Sequence, residues 1–162
     1  RPTADRVKES VFNILANRFF NAKILDAFAG TGNLGLEAWS RGASQVIFFD
    51  KNRQSLNLVQ KNIAKCYAEN ECQIMQGDSI GLVQKLAGKY LFDVIFLDPP
   101  YNKGLIDLFL QEVAKNNILT PNGLIVAELA ANEIVNLPQN FQLLREEKYG
   151  STKVFLIGLV KK

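Results

Sequence analysis

Short apolar segments alternate with amphipathic segments along most of this chain. Apolar residues recur at helical spacing in 7–19, 34–39, 54–66, 80–86 and 105–114, and strand-like apolar runs occupy 23–28, 45–49, 73–76, 94–97 and 124–129. Strands that alternate with helices form a parallel sheet, because each helical crossover covers one face and returns the chain to the same edge. The sequence therefore predicts an α/β fold of three layers with a mostly parallel central sheet.

The last two apolar runs have no helical segment between them. Phe141 to Leu144 and Val154 to Val160 are separated by a turn around Tyr149-Gly150-Ser151. Strands joined by a tight turn pair in the antiparallel sense. We expect them to close the sheet as an antiparallel pair, so that the last strand runs against the others.

Composition narrows the class of protein. With 162 residues and 48% hydrophobic side chains, the chain can bury one core, and a single domain is expected. The absence of histidine excludes Ser-His-Asp and Cys-His catalysis and metals held by imidazole, and Cys66 and Cys72 lack the spacing of a zinc site. No apolar run is long enough for a membrane helix, and the first residues are charged, so a cytoplasmic location is expected.

A glycine-rich segment follows the first predicted strand. Gly30, Gly32 and Gly35 have the spacing GxGxxG between a strand and a helix, where a sharp turn lets a ligand approach the backbone amides. Asp50 ends the second strand, and its carboxylate can accept hydrogen bonds from both ribose hydroxyls. Ligands of open parallel sheets bind at the carboxyl ends of the strands. The loop and the carboxylate together indicate an adenosine-containing cofactor, and a tight turn with a helix cap at Asp50 is the alternative.

The kind of cofactor follows from charge and from the number of glycine loops. A dinucleotide such as NAD needs a second mononucleotide-binding half, and no second glycine fingerprint follows the third strand. Asp26 would repel a pyrophosphate and attract an ammonium group, which favours S-adenosyl-L-methionine. Asp78, after the third strand, has two interpretations, a ligand of the adenine amino group or a helix cap. The predicted cofactor-binding residues are Asp26, Phe28, Gly30, Gly32, Asp50 and Asp78.

The fourth strand ends in Asp98-Pro99-Pro100-Tyr101. Proline has no N–H, so the backbone of this segment offers mainly acceptors. The amino group of a nucleobase is a poor nucleophile because its lone pair is delocalised into the ring. If Asp98 and the Pro99 carbonyl accept its N–H groups, the lone pair can point at a sulfonium methyl group for in-line displacement, while Tyr101 stacks on the base. The predicted catalytic residues for amino-group methylation are Asp98, Pro99 and Tyr101, and a proline turn that closes a strand is the alternative.

Three segments together resemble a known family. Asp26-Ala-Phe-Ala-Gly-Thr-Gly32, Asp98-Pro-Pro-Tyr101 and the opening Arg1-Pro-Thr-Ala-Asp-Arg-Val-Lys-Glu9 look like the bacterial small-subunit ribosomal RNA guanine-N2 methyltransferases, the RsmD-like family. The resemblance runs from Arg1 nearly to the end. It implies a Rossmann-like fold with a seven-stranded sheet, S-adenosyl-L-methionine as methyl donor, and N2 of a guanine in 16S ribosomal RNA as acceptor. It also implies that the RNA is reached within an assembled or partly assembled small ribosomal subunit.

The resemblance assigns roles outside these two motifs as well. Arg1, Thr3, Arg6 and Glu9 would cover the cofactor or contact RNA, and Lys148 and Lys153 would lie near phosphates. A capped, solvated helix is the alternative for the opening segment. Family members usually carry a short basic segment before Arg1, so we expect upstream residues to be missing here and RNA affinity to be lower without them.

Two other functions stay open at this stage. A DNA adenine-N6 methyltransferase shares the Asp-Pro-Pro-Tyr motif, although it usually inserts a target-recognition region that this compact chain lacks, and it must flip its base out of the duplex. A catalytically silent RNA-binding module would keep the fold, but it has no physical need for both motifs. We expect an RNA guanine-N2 methyltransferase that acts as a monomer, because no long exposed apolar stripe is evident.

Overall fold

This computed structural model describes residues 2–101 and 103–161. It consists of a mostly parallel sheet with helices on both faces. The helices of this part are α1 (Pro2–Ile14), α2 (Asn33–Ser40), α3 (Arg53–Lys65), α4 (Ser79–Leu86) and α5 (Leu105–Asn116), with a short 3-10 helix at Ala16–Arg18. The strands are β1 (Lys23–Asp26), β2 (Gln45–Asp50), β3 (Cys72–Gln76), β4 (Phe92–Leu97), β5 (Leu119–Ala130), β6 (Phe141–Tyr149) and β7 (Thr152–Leu159). None of these helices combines the length and the apolar character that a membrane crossing needs. The predicted α/β fold is confirmed.

The order of the strands places a crossover in the middle of the sheet. Within the described residues the seven strands lie in the order β3-β2-β1-β4-β5-β7-β6, and β1 to β5 are mutually parallel. The chain moves outward from β1 to β3 and then returns to the other side of β1 to form β4. The carboxyl ends of β1 and β4 therefore flank the point where strand order reverses, which is where ligands of such sheets bind.

The closing strands pair as predicted. β7 lies between β5 and β6 and is antiparallel to both. Because β7 runs against the parallel strands, its amino end, not its carboxyl end, reaches the edge at which β1, β4 and β5 finish. Residues at the start of β7 are thereby brought to the same edge as the ends of the parallel strands.

The two faces of the sheet are covered by different helices. Val94 and Phe96 of β4 pack in a buried cluster with α1, α2 and α3, while Ile95 and Leu97 pack in another with α4 and α5. This alternation follows from the period of two along a strand. The ring of Phe96 lies 5.6 Å from that of Phe12 in α1, which anchors α1 beside the carboxyl edge of the sheet.

Two strands are longer than the apolar pattern predicted. β5 begins at Leu119, which pairs with Phe92, and Pro121 and Gly123 lie in the extra residues of β5 at a register irregularity between β4 and β5. β6 continues through polar residues to Tyr149. It is one of the two edge strands and is mostly exposed to solvent, so the apolar alternation that marks a half-buried strand is weak along its length.

Candidate active site

A cleft of about 660 Å³ opens over the carboxyl ends of the central strands, within the range of roughly 300–1,000 Å³ that is usual for small-molecule sites. Its walls come from α1, the loop after β1, and the ends of β2, β4 and β5, with the start of β7. Six of the predicted site residues line it together, namely Phe28, Gly30, Asp50, Asp98, Pro99 and Tyr101. The two predicted motifs therefore face one cleft.

The acidic residues of this cleft share one face of the sheet. The last apolar residues on this face are Phe48 of β2, Phe96 of β4 and Val126 of β5. They lie at the same level of the sheet, because Phe48 and Phe96 both pair with Asp26 of β1 and Phe96 pairs with Val126. Each is followed two positions later by a carboxylate, which the strand period places on the same face. Among the described residues, Asp50, Asp98 and Glu128 are the acidic side chains that line the cleft.

Asp50 supports the glycine loop. Its Oδ2 accepts a hydrogen bond from Gly30 N–H at 2.9 Å, and its Oδ1 accepts one from Asn52 N–H at 2.9 Å. Gly30 has φ +57°, and a Cβ at this position would meet no atom within 4 Å. The loop therefore keeps open space above Gly30 for a ligand. A carboxylate has about four lone-pair positions, so Asp50 can hold both amides and still accept from a ligand.

The other two glycines serve close packing. A Cβ on Gly35 would lie 2.4 Å from Cε1 of Phe48, and one on Gly32 would lie 3.2 Å from Cγ1 of Val59. Gly32 also precedes the first turn of α2 with φ +81°, a conformation that favours glycine. Neither residue lines the cleft. They allow α2 to begin directly behind the loop.

Asp26 lies beneath the glycine loop, not in the cleft. It is 1% exposed, and its Oδ2 accepts a hydrogen bond from Gly35 N–H at 3.0 Å. Burial raises the pKa of Asp26 to about 7, with the Gly35 hydrogen bond opposing the rise and the nearby Asp50 adding to it. The structure shows Asp26 holding the first turn of α2. A contact with a cofactor ammonium group stays a prediction.

Of the predicted cofactor-binding residues Phe28 and Asp78, Phe28 lines the cleft and Asp78 does not. Phe28 lines it as a half-buried ring, 6.2 Å from the ring of Phe109. Asp78 is exposed and caps α4, because its side chain accepts a hydrogen bond from Ile80 N–H at 3.2 Å. The cap interpretation thus describes what Asp78 does in this structure, and its contact with adenine stays a prediction.

The Asp98-Pro99-Pro100-Tyr101 segment forms the opposite wall. Pro99 is buried, Asp98 is half-buried and Tyr101 is 41% exposed at the mouth. The Tyr101 hydroxyl donates to Glu128 Oε1 at 3.2 Å and lies 3.1 Å from Thr152 Oγ1. Burial, with added effects of the Glu128 and Asp98 charges, raises the pKa of Tyr101 although the Thr152 hydrogen bond opposes it. Tyr101 is therefore a neutral donor whose ring is fixed beside Asp98.

Helix α1 covers the side of the cleft through Ala4, Val7, Lys8 and Val11. Lys8 Nζ donates to Asn33 Oδ1 at 2.7 Å and lies 3.3 Å from Glu37 Oε1, which ties α1 to α2. Arg6 and Glu9, predicted to cover the cofactor or to contact RNA, do not line the cleft and instead line a separate groove with Arg145 and Tyr149; their contact with RNA stays a prediction. Arg1 and the side chain of Thr3 lie outside the described residues.

Comparison with known proteins then decides the family. The model of the family described as Conserved hypothetical protein 95 matches residues 1–158. The protein named ribosomal RNA small subunit methyltransferase D of Haemophilus influenzae is 37% identical over 152 residues, which cover 93% of this chain and 78% of that protein. The Escherichia coli K12 protein of the same name is 33% identical over 151 residues, covering 93% and 75%. This chain belongs to the RsmD family.

A solved structure supports this membership. The structure of yhhF from Escherichia coli, a presumed methyltransferase, superposes with a TM-score of 0.90 at 31% identity, over 100% of this chain and 88% of that one. The shared architecture confirms the prediction of a Rossmann-like methyltransferase fold.

The RsmD-family cleft contains residues that the sequence patterns did not indicate. Glu128 stands at the end of β5 inside an apolar run, and a carboxylate in such a run was the signal available. Thr152 is 7% exposed and contacts Tyr101 because β7 is antiparallel. Val7 and Val11 were predicted as the apolar face of the first helix, and they line the cleft as well as the core.

The basic residues predicted near phosphates lie at the turn between β6 and β7. Lys148 and Lys153 are paired in the strand register next to this turn. Lys148 lies 3.8 Å from Glu146 Oε2, and Lys153 Nζ lies 5.1 Å from the ring centre of Phe155. Thr152, the first residue of β7, directly follows this turn and contacts Tyr101, so the turn lies near the mouth of the RsmD-family cleft.

Proposed function

We propose that this chain transfers a methyl group from S-adenosyl-L-methionine to the exocyclic N2 of a guanine in 16S ribosomal RNA. The observation that carries the proposal is that the glycine loop with Asp50 and the Asp98-Pro99-Pro100-Tyr101 wall line a single cleft. The names of the RsmD-family relatives of Haemophilus influenzae and Escherichia coli support ribosomal RNA as the substrate.

The described residues suit the cofactor in shape and in charge. The open space above Gly30 admits a ligand to the loop backbone, and Asp50 keeps lone pairs for ribose hydroxyls. The carboxylates of Asp50 and Asp98 favour a cationic ligand over a pyrophosphate. Gly30, Asp50 and Phe28 would hold S-adenosyl-L-methionine, with Asp26, Gly32 and Asp78 as further predicted contacts. When bound, this cofactor supplies an electrophilic methyl group on sulfur.

The chain's own contribution to the reaction is alignment and electrostatics. Asp98 and the Pro99 carbonyl accept the N–H groups of the target amine, which orients the nitrogen and increases its electron density. Tyr101 presents its ring at the mouth of the cleft, where it stacks on the base. No strong base is needed before transfer, because the methylated amine is cationic and then loses its proton readily. This agrees with a chain that contains no histidine.

The substrate would be held by surfaces outside the cleft. Lys148 and Lys153, at the turn between β6 and β7, are proposed to contact phosphates, which would raise affinity without specifying sequence. The small ribosomal subunit, or an assembly intermediate of it, is the proposed partner, with a monomer as the acting form.

The test is transfer of a labelled methyl group from S-adenosyl-L-methionine, followed by nucleoside analysis. Small ribosomal subunits from cells that lack the endogenous modification, naked 16S RNA and duplex DNA serve as substrates. We expect the label in N2-methylguanosine of the RNA. Label in N6-methyladenine of DNA would overturn the substrate and keep the mechanism, and cofactor binding without transfer to any substrate would favour a silent RNA-binding module.

A further inference from the structure

Glu128 is an acidic residue on a sheet face that is otherwise apolar up to the cleft. Leu124 and Val126 of β5 and Val154 of β7 are buried on this face, and Glu128 is opposite Val154 in the register. A carboxylate at such a position is costly unless it is hydrogen-bonded. Because Glu128 lines the cleft, its carboxylate can contact both solvent and a bound ligand.

The surroundings of Glu128 hold it in place. Its Oε1 accepts a hydrogen bond from the Tyr101 hydroxyl at 3.2 Å, and that hydroxyl also contacts Thr152 at 3.1 Å. A carboxylate can accept about four hydrogen bonds, so the bond from Tyr101 leaves Glu128 able to accept from a ligand. Glu128 thus combines a fixed orientation with acceptor capacity toward the cleft.

Register brings Glu128 beside Asp98. Phe96 of β4 pairs with Val126 of β5, and two residues further along these neighbouring strands lie Asp98 and Glu128. Asp98, Tyr101 and Glu128 line the same cleft, and the Tyr101 hydroxyl is hydrogen-bonded to Glu128, so both carboxylates lie on the wall that carries the ring proposed to stack on the base. The acceptors at this wall are the Asp98 carboxylate, the Pro99 carbonyl and the Glu128 carboxylate.

We propose that Glu128 is the specificity residue for guanine and that its carboxylate accepts the N1–H of the base while Asp98 and the Pro99 carbonyl accept the N2 hydrogens. This inference rests on the proposed function. Guanine presents N1–H and the N2 amino group side by side, a run of donors that matches the run of acceptors. A base with an unprotonated N1 sets its lone pair against the carboxylate and is rejected, as sites built for a hydrogen bond reject analogues that lack it.

The test compares two bases that carry the same 2-amino group. 2-Aminopurine has an acceptor at N1 where guanine has a donor. The RNA that the wild-type enzyme methylates is prepared with guanine or with 2-aminopurine at the modified position, and kcat/KM is measured for both. We expect Glu128→Gln to lower kcat/KM on guanine by about 10- to 100-fold and to reduce the preference for guanine over 2-aminopurine by at least about tenfold, since a glutamine amide can donate to N1.

Two variants separate base recognition from other roles of Glu128. Thr152→Val removes a hydrogen bond to Tyr101 and leaves the carboxylate, so it should lower kcat/KM without changing the base preference. Glu69→Gln, at an exposed residue before β3, makes the same chemical change away from the cleft and should behave as wild type. Binding of S-adenosyl-L-methionine, measured by calorimetry, should be equal in all of these proteins and reports that they are folded.

The outcomes distinguish a failure of the proposed function from a failure of the role of Glu128. If the wild-type enzyme forms no N2-methylguanosine, the proposed function and the role of Glu128 both fail. If it does, and Glu128→Gln keeps the wild-type preference for guanine, the role of Glu128 alone is wrong. An equal loss of preference in Thr152→Val would also overturn it, because Glu128 would then act only through the position of Tyr101.

Discussion

Asp98 and Asp50 stand at equivalent positions on parallel strands, yet the structure gives them different neighbours. Asp50 is bonded to the amides of Gly30 and Asn52, on the glycine-loop side of the cleft. Asp98 is followed by two prolines and lies near Tyr101. Under the proposed function, Asp50 would act toward the cofactor and Asp98 toward the target base, although both follow parallel strands at the same level of the sheet.

For Asp98, we predict that Asp98→Ala leaves the affinity for S-adenosyl-L-methionine nearly unchanged and lowers methyl transfer by at least about 100-fold, since its partner is the substrate amine in the transition state. Calorimetry with the cofactor and single-turnover transfer to the RNA measure the two effects separately. Normal turnover by this variant would show the mechanism to be wrong.

For Asp50, we predict that Asp50→Ala weakens cofactor binding by about 1.5 to 3 kcal/mol, the usual range for hydrogen bonds to a charged group. Part of the loss could come from the glycine loop, because Asp50 also holds Gly30. A 2′,3′-dideoxy analogue of S-adenosylhomocysteine separates the two causes. If Asp50 binds the ribose, the variant and the wild type should bind this analogue almost equally, and an undiminished difference would assign the effect to the loop.

The sequence alone identified the site residues that belong to a local motif. Asp50, Asp98 and Tyr101 follow strands within recognisable patterns, and the structure brings them to one cleft. Glu128 was missed because it belongs to no motif, and its role depends on the register between β4 and β5. The burial of Asp26 was also unpredictable, since it depends on how α2 packs over Phe48 through Gly35.

At the scale of the elements, α1 is attached to the rest of the cleft wall mainly through side chains, because a helix forms its backbone hydrogen bonds within itself. Its attachment is made by side chains such as Phe12, Lys8 and Ser10, the last through a hydrogen bond with Tyr149. Burial alone would raise the pKa of Glu37, but hydrogen bonds from Arg41 and Lys8 outweigh it and lower the pKa. Glu37 is thus charged and anchors Lys8.

We predict that Lys8→Ala makes the backbone of α1 more mobile while it lowers the unfolding free energy of the whole protein only slightly. The Lys8–Glu37 pair is partly exposed, at 23% and 30%, so its loss should cost at most about 1 kcal/mol of unfolding free energy. Amide hydrogen exchange within α1 should become faster, and cofactor affinity should fall by up to about tenfold. Lys61→Ala, at an exposed residue of α3, is the matched control, and unchanged exchange in α1 would contradict the prediction.

The elements themselves were mostly predictable, and the failures have physical causes. Alternation of apolar runs located β1 to β4 and the helices α1 to α5, because amphipathic helices and strands buried on both faces, such as β1, β2 and β4, have strong apolar patterns. The pattern did not reveal the start of β5, where Pro121 and Gly123 lie within a strand. It also missed the polar half of β6, because an edge strand that faces solvent carries little hydrophobic signal.

At the scale of the whole molecule, the buried Asp26 links stability to pH. Its pKa is raised from 3.8 to about 7 in the folded state, so the folded protein binds this proton more tightly than the unfolded chain. The stabilisation is complete below the unfolded value and is lost as the pH rises through about 7.

We predict that Asp26→Asn removes this pH dependence. A neutral asparagine oxygen can still accept from Gly35 N–H. Relative to the variant, the wild type should lose about 3 kcal/mol of unfolding free energy between about pH 5 and about pH 8, at about 1.4 kcal/mol per pKa unit. Urea unfolding of both proteins at these two pH values measures the difference, in which the other titrating groups cancel. Parallel pH profiles would show that Asp26 does not carry the effect.

The cleft carboxylates Asp50, Asp98 and Glu128 come from three different strands or their ends. The proposed function therefore assigns the methyl donor and the target base to different strands. Under the proposed function, the methyl donor would bind against the loop after β1 and the end of β2, whereas the base would contact the end of β4, Glu128 on β5 and the start of β7. Residues on β5 and β7 can therefore vary while the donor side stays intact. Such a scaffold is open to redesign: exchanging side chains on two neighbouring strands would redirect the same alkylation chemistry to a recipient with another pattern of hydrogen-bond donors.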